Sequence, residues 1–196
     1  LTSYGGLAYW KTIYDNKLFF SAHNNLGTEL WKYDGVTIPQ LVVDIYSGPE
    51  YSIPRNLIVY DNKLFFNATN GTNGRELYYY DSLLPVSSTN PKIIDMFMGA
   101  ENGIDIEHDI IVYNGKLYFS GKTLTTDQNF ELQVYDPNQT ISASNPSRVF
   151  DINPGTSGSS PSGFINFQNK LFFTANDGTG EELWVYNGTT NPTKVY

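Results

Sequence analysis

The sequence contains no cysteine. That absence removes disulfides, thiolate chemistry and cysteine-ligated zinc together. It does not argue against an extracellular setting, because a chain of 196 residues buries a core without covalent staples. Histidine is scarce: His23 and His108 are the two present. Neither sits in a nucleophile or metalloprotease motif, and no G-x-S-x-G, H-E-x-x-H or phosphate loop occurs. The glycine-rich stretch 155–160 lacks the lysine of a phosphate loop and reads as a connector. Positive charge is short as well. Twelve Lys and Arg face 20 Asp and Glu, the net charge is −8, and no basic cluster exists. Nucleic acid is therefore not an expected partner, since phosphate must be neutralised. An acidic surface also disfavours anionic lipid. No apolar run reaches the length of a membrane-spanning helix, so no membrane insertion is expected. No long stretch has a 3.6-residue apolar period, which excludes a substantial helix.

What the chain does have is aromatics, with 15 Tyr and 12 Phe, and a polar share rich in Asn, Thr, Ser and Gly. The first suits packed strands and the second suits turns. Both are organised into a repeat. Asp-Asn-Lys-Leu-Phe-Phe at 15–20 returns at 61–66, as Asn-Gly-Lys-Leu-Tyr-Phe at 114–119 and as Gln-Asn-Lys-Leu-Phe-Phe at 168–173. The lysines, Lys17, Lys63, Lys116 and Lys170, lie 46, 53 and 54 residues apart. A second motif follows each: ELWKYDG (29–35), ELYYYDS (76–82), ELQVYDP (131–137) and ELWVYNG (182–188). The first three units then reach an apolar pair and an aspartate: Asp44, Asp95 and Asp151.

Each unit reads as four strands. An apolar strand precedes the lysine motif, a two-residue turn joins it to Leu-Phe-Phe, and Glu-Leu-x-x-Tyr forms the third. The last follows a loop that usually carries Asn-Pro. Asn114-Gly115 is the strongest hairpin signal, because both positions tolerate positive φ. Consecutive apolar residues such as Leu64-Phe65-Phe66 indicate sheets covered on both faces. Four-stranded sheets repeating every 40–55 residues describe propeller blades. The expected fold is all-β: a four-bladed β-propeller of four-stranded antiparallel blades, one domain over 1–196 with units near 1–48, 49–99, 100–155 and 156–196. Counting back from Lys17 against Lys63 sets Leu1 opposite Ser47, so the two ends nearly complete one cyclic repeat and are expected to lie close together. Leu1 fits a processed N-terminus and equally a piece of a longer chain.

The third-strand motif and its neighbours resemble the ELWxxDGT repeat of bacterial surface proteins. The closest match runs from Leu171 to Trp184, Leu-Phe-Phe-Thr-Ala-Asn-Asp-Gly-Thr-Gly-Glu-Glu-Leu-Trp. Tyr78 and Gln133 replace the family tryptophan, and no unit completes the terminal Asp-Gly-Thr that follows the third strand. The resemblance covers all four units and implies propeller-like repeats with an extracellular or cell-surface location.

Glu29, Glu76, Glu131 and Glu182 open the third strand of each unit. A ring of carboxylates could bind a cation. The alternative is that each accepts hydrogen bonds from backbone N–H groups and fixes a turn, which a buried acid needs. The same choice applies to Asp44, Asp95 and Asp151, and the structural role is the reading adopted. Loops 70–74 and 176–179 offer oxygen ligands but too few acids for a calcium site of six to eight oxygens. Ordinary turn chemistry is expected there, with calcium a weak alternative and no other cofactor. Asn67, Asn70, Asn138 and Asn187 head glycosylation sequons in predicted loops.

The acids that recur are symmetric, whereas a catalytic pair breaks repeat symmetry. The sequence therefore reads as a non-enzymatic extracellular module with no catalytic residue, binding a glycan or a surface protein and acting in adhesion. Two alternatives stand beside it. One is a structural subunit that assembles with itself into a filament or surface layer, supported by the apolar segment Leu1–Trp10. The other is a glycan-active enzyme working through paired carboxylates.

Overall fold

The computed structural model describes residues 8–106, 108–123, 129–155 and 157–195. They form sixteen strands and no helix that could cross a membrane. The chain divides into two compact units: Leu1–Asp95 with Gly99–Glu101, and Met96–Met98 with Asn102–Tyr196. The expected four antiparallel four-stranded sheets are all present.

The first unit holds two of them. One runs β1 (Tyr9–Tyr14), β2 (Lys17–Asn24), β3 (Gly27–Tyr33), β4 (Gln40–Val43). The other runs β5 (Arg55–Tyr60), β6 (Lys63–Thr69), β7 (Arg75–Tyr80), β8 (Lys92–Ile94). The second unit repeats the plan with β9 (Ile111–Tyr113), β10 (Lys116–Gly121), β11 (Glu131–Tyr135), β12 (Ser147–Phe150). Its other sheet is β13 (Ser162–Phe167), β14 (Lys170–Asn176), β15 (Glu181–Tyr186), β16 (Thr193–Lys194).

The lysine motifs open hairpins as their turns dictate. Tyr14 pairs with Lys17, Tyr60 with Lys63, Tyr113 with Lys116 and Phe167 with Lys170. The two residues between them all have positive φ: Asp15-Asn16, Asp61-Asn62, Asn114-Gly115 and Gln168-Asn169. That twist matches the strands it joins.

In each unit one face of the first sheet stacks on the opposite repeat face of the second. Tyr14, Phe19, Leu30 and Val42 of the first sheet meet Leu64, Phe66, Ala68, Tyr78 and Tyr80 of the second. In the second unit Tyr113, Tyr118, Leu132 and Ile152 meet Leu171, Phe173, Ala175 and Trp184. Alternation along each strand sends the intervening side chains to the opposite face. This explains why the motifs are apolar at successive positions.

One repeat position departs from its counterparts, and one expectation fails. Leu30, Leu77 and Leu132 are fully buried, but the equivalent Leu183 is 46% exposed. Asn67 does not lie in a loop. It sits inside β6, fully buried, and accepts a 2.8 Å hydrogen bond from the Arg75 guanidinium. Asn138 and Asn187 are exposed and Asn70 is half-buried, all outside strands. The proximity of the chain ends concerns Leu1 and Tyr196, which lie outside the described residues, as does most of Leu1–Trp10.

Candidate functional site

Two of the recurring glutamates, Glu29 and Glu131, tie a sheet to the segment that follows it. Glu29 Oε2 accepts the Ile45 N–H at 2.9 Å and the Ser52 hydroxyl at 2.5 Å, and Oε1 accepts the Ser52 N–H at 3.1 Å. Glu131 repeats this with Ile152 at 3.1 Å, the Ser159 hydroxyl at 2.5 Å and the Ser159 N–H at 2.9 Å. Burial still outweighs these bonds and pushes the Glu29 carboxyl up to about 7, with the Asp44 charge adding to the rise. The Glu131 carboxyl moves the same way for the same reason. Glu76 is fully buried. Glu182 is half-buried. Its Oε1 meets Lys194 at 3.3 Å, while Oε2 has no hydrogen-bond partner.

The recurring aspartates behave differently. Asp151 pairs with Arg148 at 3.1 Å. Asp44 Oδ2 accepts the Gly48 N–H at 3.2 Å, and Asp95 Oδ2 accepts the Asn73 side-chain amide at 2.7 Å. The remaining oxygens, Asp44 Oδ1 and Asp95 Oδ1, are buried without a partner. So is the Tyr78 hydroxyl. Leaving such a group unpaired costs about 1–3 kcal/mol, so each needs a reason.

Asp44 and Tyr78 share a cleft. It encloses about 180 Å³ in the first unit, between the end of β4 and the β7–β8 loop. Val43, Ile45, Pro91 and Ile93 supply an aliphatic wall, and Asn70, Ser87 and Ser88 supply polar groups. The volume is below the range of about 300–1,000 Å³ that holds drug-sized ligands. It suits one small polar moiety. Burial raises the Tyr78 phenol well above its usual value, and the charges of Glu76 and Asp95 raise it further. Tyr78 thus stays protonated and able to donate. Asp44 Oδ1 is an acceptor.

Sequence reasoning singled out Asp44 but missed Tyr78, which reads as a core aromatic in ELYYYDS. The signal available was its departure from the tryptophan of the repeat. Asn90 and Asn145 were also missed. Asn90 accepts the Asp81 N–H at 2.9 Å and donates to the Asp81 carbonyl at 2.9 Å; Asn145 does the same with Asp136 at 2.8 and 2.9 Å. The Asn-Pro loops are therefore clasped onto the end of the third strand by the asparagine.

The second unit holds a mixed cluster. His108 Nδ1 lies 3.0 Å from Asp105 Oδ2, and the Ser120 hydroxyl reaches the same oxygen at 3.4 Å. The carboxylate sits between serine and histidine. Nucleophile activation needs the imidazole there. Among the described residues no group of three or more His, Asp or Glu is placed to hold a metal ion. In the loops weighed for calcium, Asn70 Oδ1 accepts the Thr72 and Asn73 N–H groups, and Asp177 pairs with Lys194 at 2.7 Å.

No protein family matches this chain, and no curated protein does. Solved structures do. A prolyl endopeptidase studied for inter-domain dynamics superposes with a TM-score of 0.59 at 12% identity, over 96% of this chain and 26% of that one. The β-propeller domain of the Trilobed protease from Pyrococcus furiosus gives 0.39 at 12% identity, covering 96% and 70%. An α-L-arabinofuranosidase from Clostridium thermocellum gives 0.37 at 14% identity, covering 98% and 72%. The chain thus spans about a quarter of the prolyl endopeptidase's length. At such identities the likeness is one of fold. It nevertheless corrects the expectation of a non-enzymatic adhesive module: the neighbour that superposes with a TM-score of 0.59 is a prolyl endopeptidase, so this fold gives no ground for setting catalysis aside. What stands is an all-β chain whose described residues form four antiparallel four-stranded sheets.

Proposed function

We propose that this chain is a glycan-active enzyme module of the propeller class, working outside the cell, and that the Asp44–Tyr78 cleft receives one sugar ring. The single observation that supports this is one cleft lined by Asp44 and Tyr78, each carrying a buried polar atom with no partner, beside an aliphatic wall. A sugar presents C–H faces to an apolar wall and hydroxyls at its rim, and each hydroxyl both donates and accepts. Asp44 Oδ1 would accept one, Tyr78 would donate to another, and Ser87, Ser88 and Asn70 would complete the rim. Glycoside cleavage uses two carboxyl groups. Asp44 supplies one. Asp95, whose charge acts on the same Tyr78 hydroxyl and whose Oδ1 is also unpaired, is the candidate for the second.

The test is reducing-sugar release by the purified chain from a panel of plant, microbial and host polysaccharides. One polysaccharide class should be turned over. Asp44→Asn should lower the rate by about 10²–10⁴-fold, the range for loss of a positioned acid or base, with the urea midpoint retained. No release from any polysaccharide, or release unaffected by Asp44→Asn, sinks the reading.

A further inference from the structure

The cleft lined by Asp44 and Tyr78 carries acid and no base. Among the described residues, none that lines it is Lys, Arg or His. Lys92 falls between two of the lining residues, Pro91 and Ile93, but alternation along the strand turns it to the opposite face, where it is exposed. Asp44 Oδ1 is a buried acceptor without a donor. Tyr78 is 4% exposed, and its hydroxyl has no partner either. The charges of Glu76 and Asp95 bear on that hydroxyl. Arg75 opposes them, but its guanidinium is committed to the Ile53 carbonyl and Asn67 Oδ1, both at 2.8 Å, and to the Ser52 carbonyl at 3.3 Å. Asp95 is linked to the cleft wall by two side-chain amides: Asn70, on the wall, donates to Asn73 at 3.0 Å, and Asn73 donates to Asp95 Oδ2 at 2.7 Å.

We infer that the sugar taken by this cleft carries an ammonium group: a 2-amino-2-deoxy sugar rather than a neutral sugar or a uronic acid. This rests on the cleft being a sugar site. A carboxylate only accepts and an ammonium only donates, so each meets the other's whole requirement. A sugar hydroxyl offers Asp44 a bond from a neutral donor, whereas an ammonium adds a second charge to the bond and strengthens it. The Tyr78 phenol then donates to an oxygen beside the amine. An amino sugar presents that pair, an amine with a hydroxyl on a neighbouring carbon. A lysine side chain brings the ammonium without the hydroxyl. A uronate brings a carboxylate towards Asp44 with no base on the cleft wall to meet it, and an unpaired charge is costly to desolvate.

Isothermal titration calorimetry in mildly acidic buffer, which keeps the amine charged, tests this. The probes are short oligomers of glucosamine, N-acetylglucosamine, glucose and galacturonic acid, with tetralysine as a cation that is not a sugar. Glucosamine oligomers should bind about tenfold more tightly than those of glucose or N-acetylglucosamine, the gain of a charged over a neutral hydrogen bond. Asp44→Asn should remove that preference. The ranking of ligands is read on the unaltered chain, so it does not depend on how the variant folds. Equal affinity for glucosamine and glucose oligomers overturns the inference. So does tighter binding of galacturonate, a preference that survives Asp44→Asn, or tetralysine bound as tightly as glucosamine. Reducing-sugar release separates this inference from the proposed activity. A neutral polysaccharide cleaved through Asp44 without preference for the amine overturns the inference alone. Preference for the amine with no polysaccharide cleaved overturns the activity alone.

Discussion

The Tyr14 hydroxyl donates to the main-chain carbonyl of Asn62 at 2.7 Å. Tyr113 makes the same bond to Asn169 at 2.9 Å, at the same place in the other unit. Each fastens a hairpin turn of one sheet to the first strand of its neighbour. Tyr14 also accepts the Ser82 N–H at 3.0 Å. Tyr14→Phe removes both bonds and keeps the ring. It should lower unfolding free energy by about 1–3 kcal/mol, two bonds at roughly 0.5–1.5 each. Urea denaturation measures this, and an unchanged midpoint would mean the bonds form no better than those to water.

Phe66 sits at the centre of the first unit, fully buried and stacked on Tyr78 with ring centroids 5.8 Å apart. Phe66→Ala leaves a cavity in a two-sheet core that strands on both sides hold open. The expected loss is about 3–5 kcal/mol. A melting temperature equal to wild type would remove Phe66 from the core.

The strands, hairpin turns and sheet count are legible in the sequence because each rests on local chemistry repeated four times. Asn114-Gly115 dictates its turn, and Leu64-Phe65-Phe66 dictates burial on both faces. The bonds of Glu29 and Glu131 follow the same logic, since a recurring buried acid at a strand start needs recurring donors. What sequence could not supply is which repeat positions lose their partners. Leu183 is the same residue as Leu30, and its exposure depends on what lies against it. Asp44 and Asp151 look alike too, yet Arg148 satisfies one and nothing satisfies Oδ1 of the other. The cleft arises from three segments far apart in sequence, so no single motif announces it.

Gly27 has φ of +89°, and a Cβ built there would lie 1.5 Å from the Glu50 carbonyl oxygen. Gly35 has nearly the same φ, +87°, with nothing within 4 Å. The pair separates backbone strain from steric clash. Gly35→Ala should cost about 1 kcal/mol, the strain alone. Gly27→Ala must also displace the chain at Glu50, and should cost clearly more. Equal melting temperatures for the two variants would show that the Glu50 segment yields without penalty.

The raised Glu29 carboxyl makes a signed prediction about pH. In the unfolded chain it titrates near its ordinary value of 4.5, and in the folded chain near 7. Between these limits the folded state binds the proton that the unfolded state has released. The stabilising contribution is therefore complete below about 4.5 and is lost as pH rises towards 7. Glu131 is shifted in the same direction and adds to the slope. Asp177, held at about 2 by Lys194 and Thr179, contributes the opposite way, losing stability only as pH falls through its own lower window. The two effects do not overlap. Glu29→Gln deletes the titration but turns an amide N–H towards a backbone donor, so it should be destabilised at every pH. The informative quantity is the difference curve between wild type and Glu29→Gln, in which all other titrations cancel. From urea midpoints between pH 4 and pH 8, about the span of the shift, the advantage of wild type should shrink as pH rises. A difference that is flat with pH, or that grows towards neutrality, would mean Glu29 is ionised in the folded chain and that its three donors outweigh its burial.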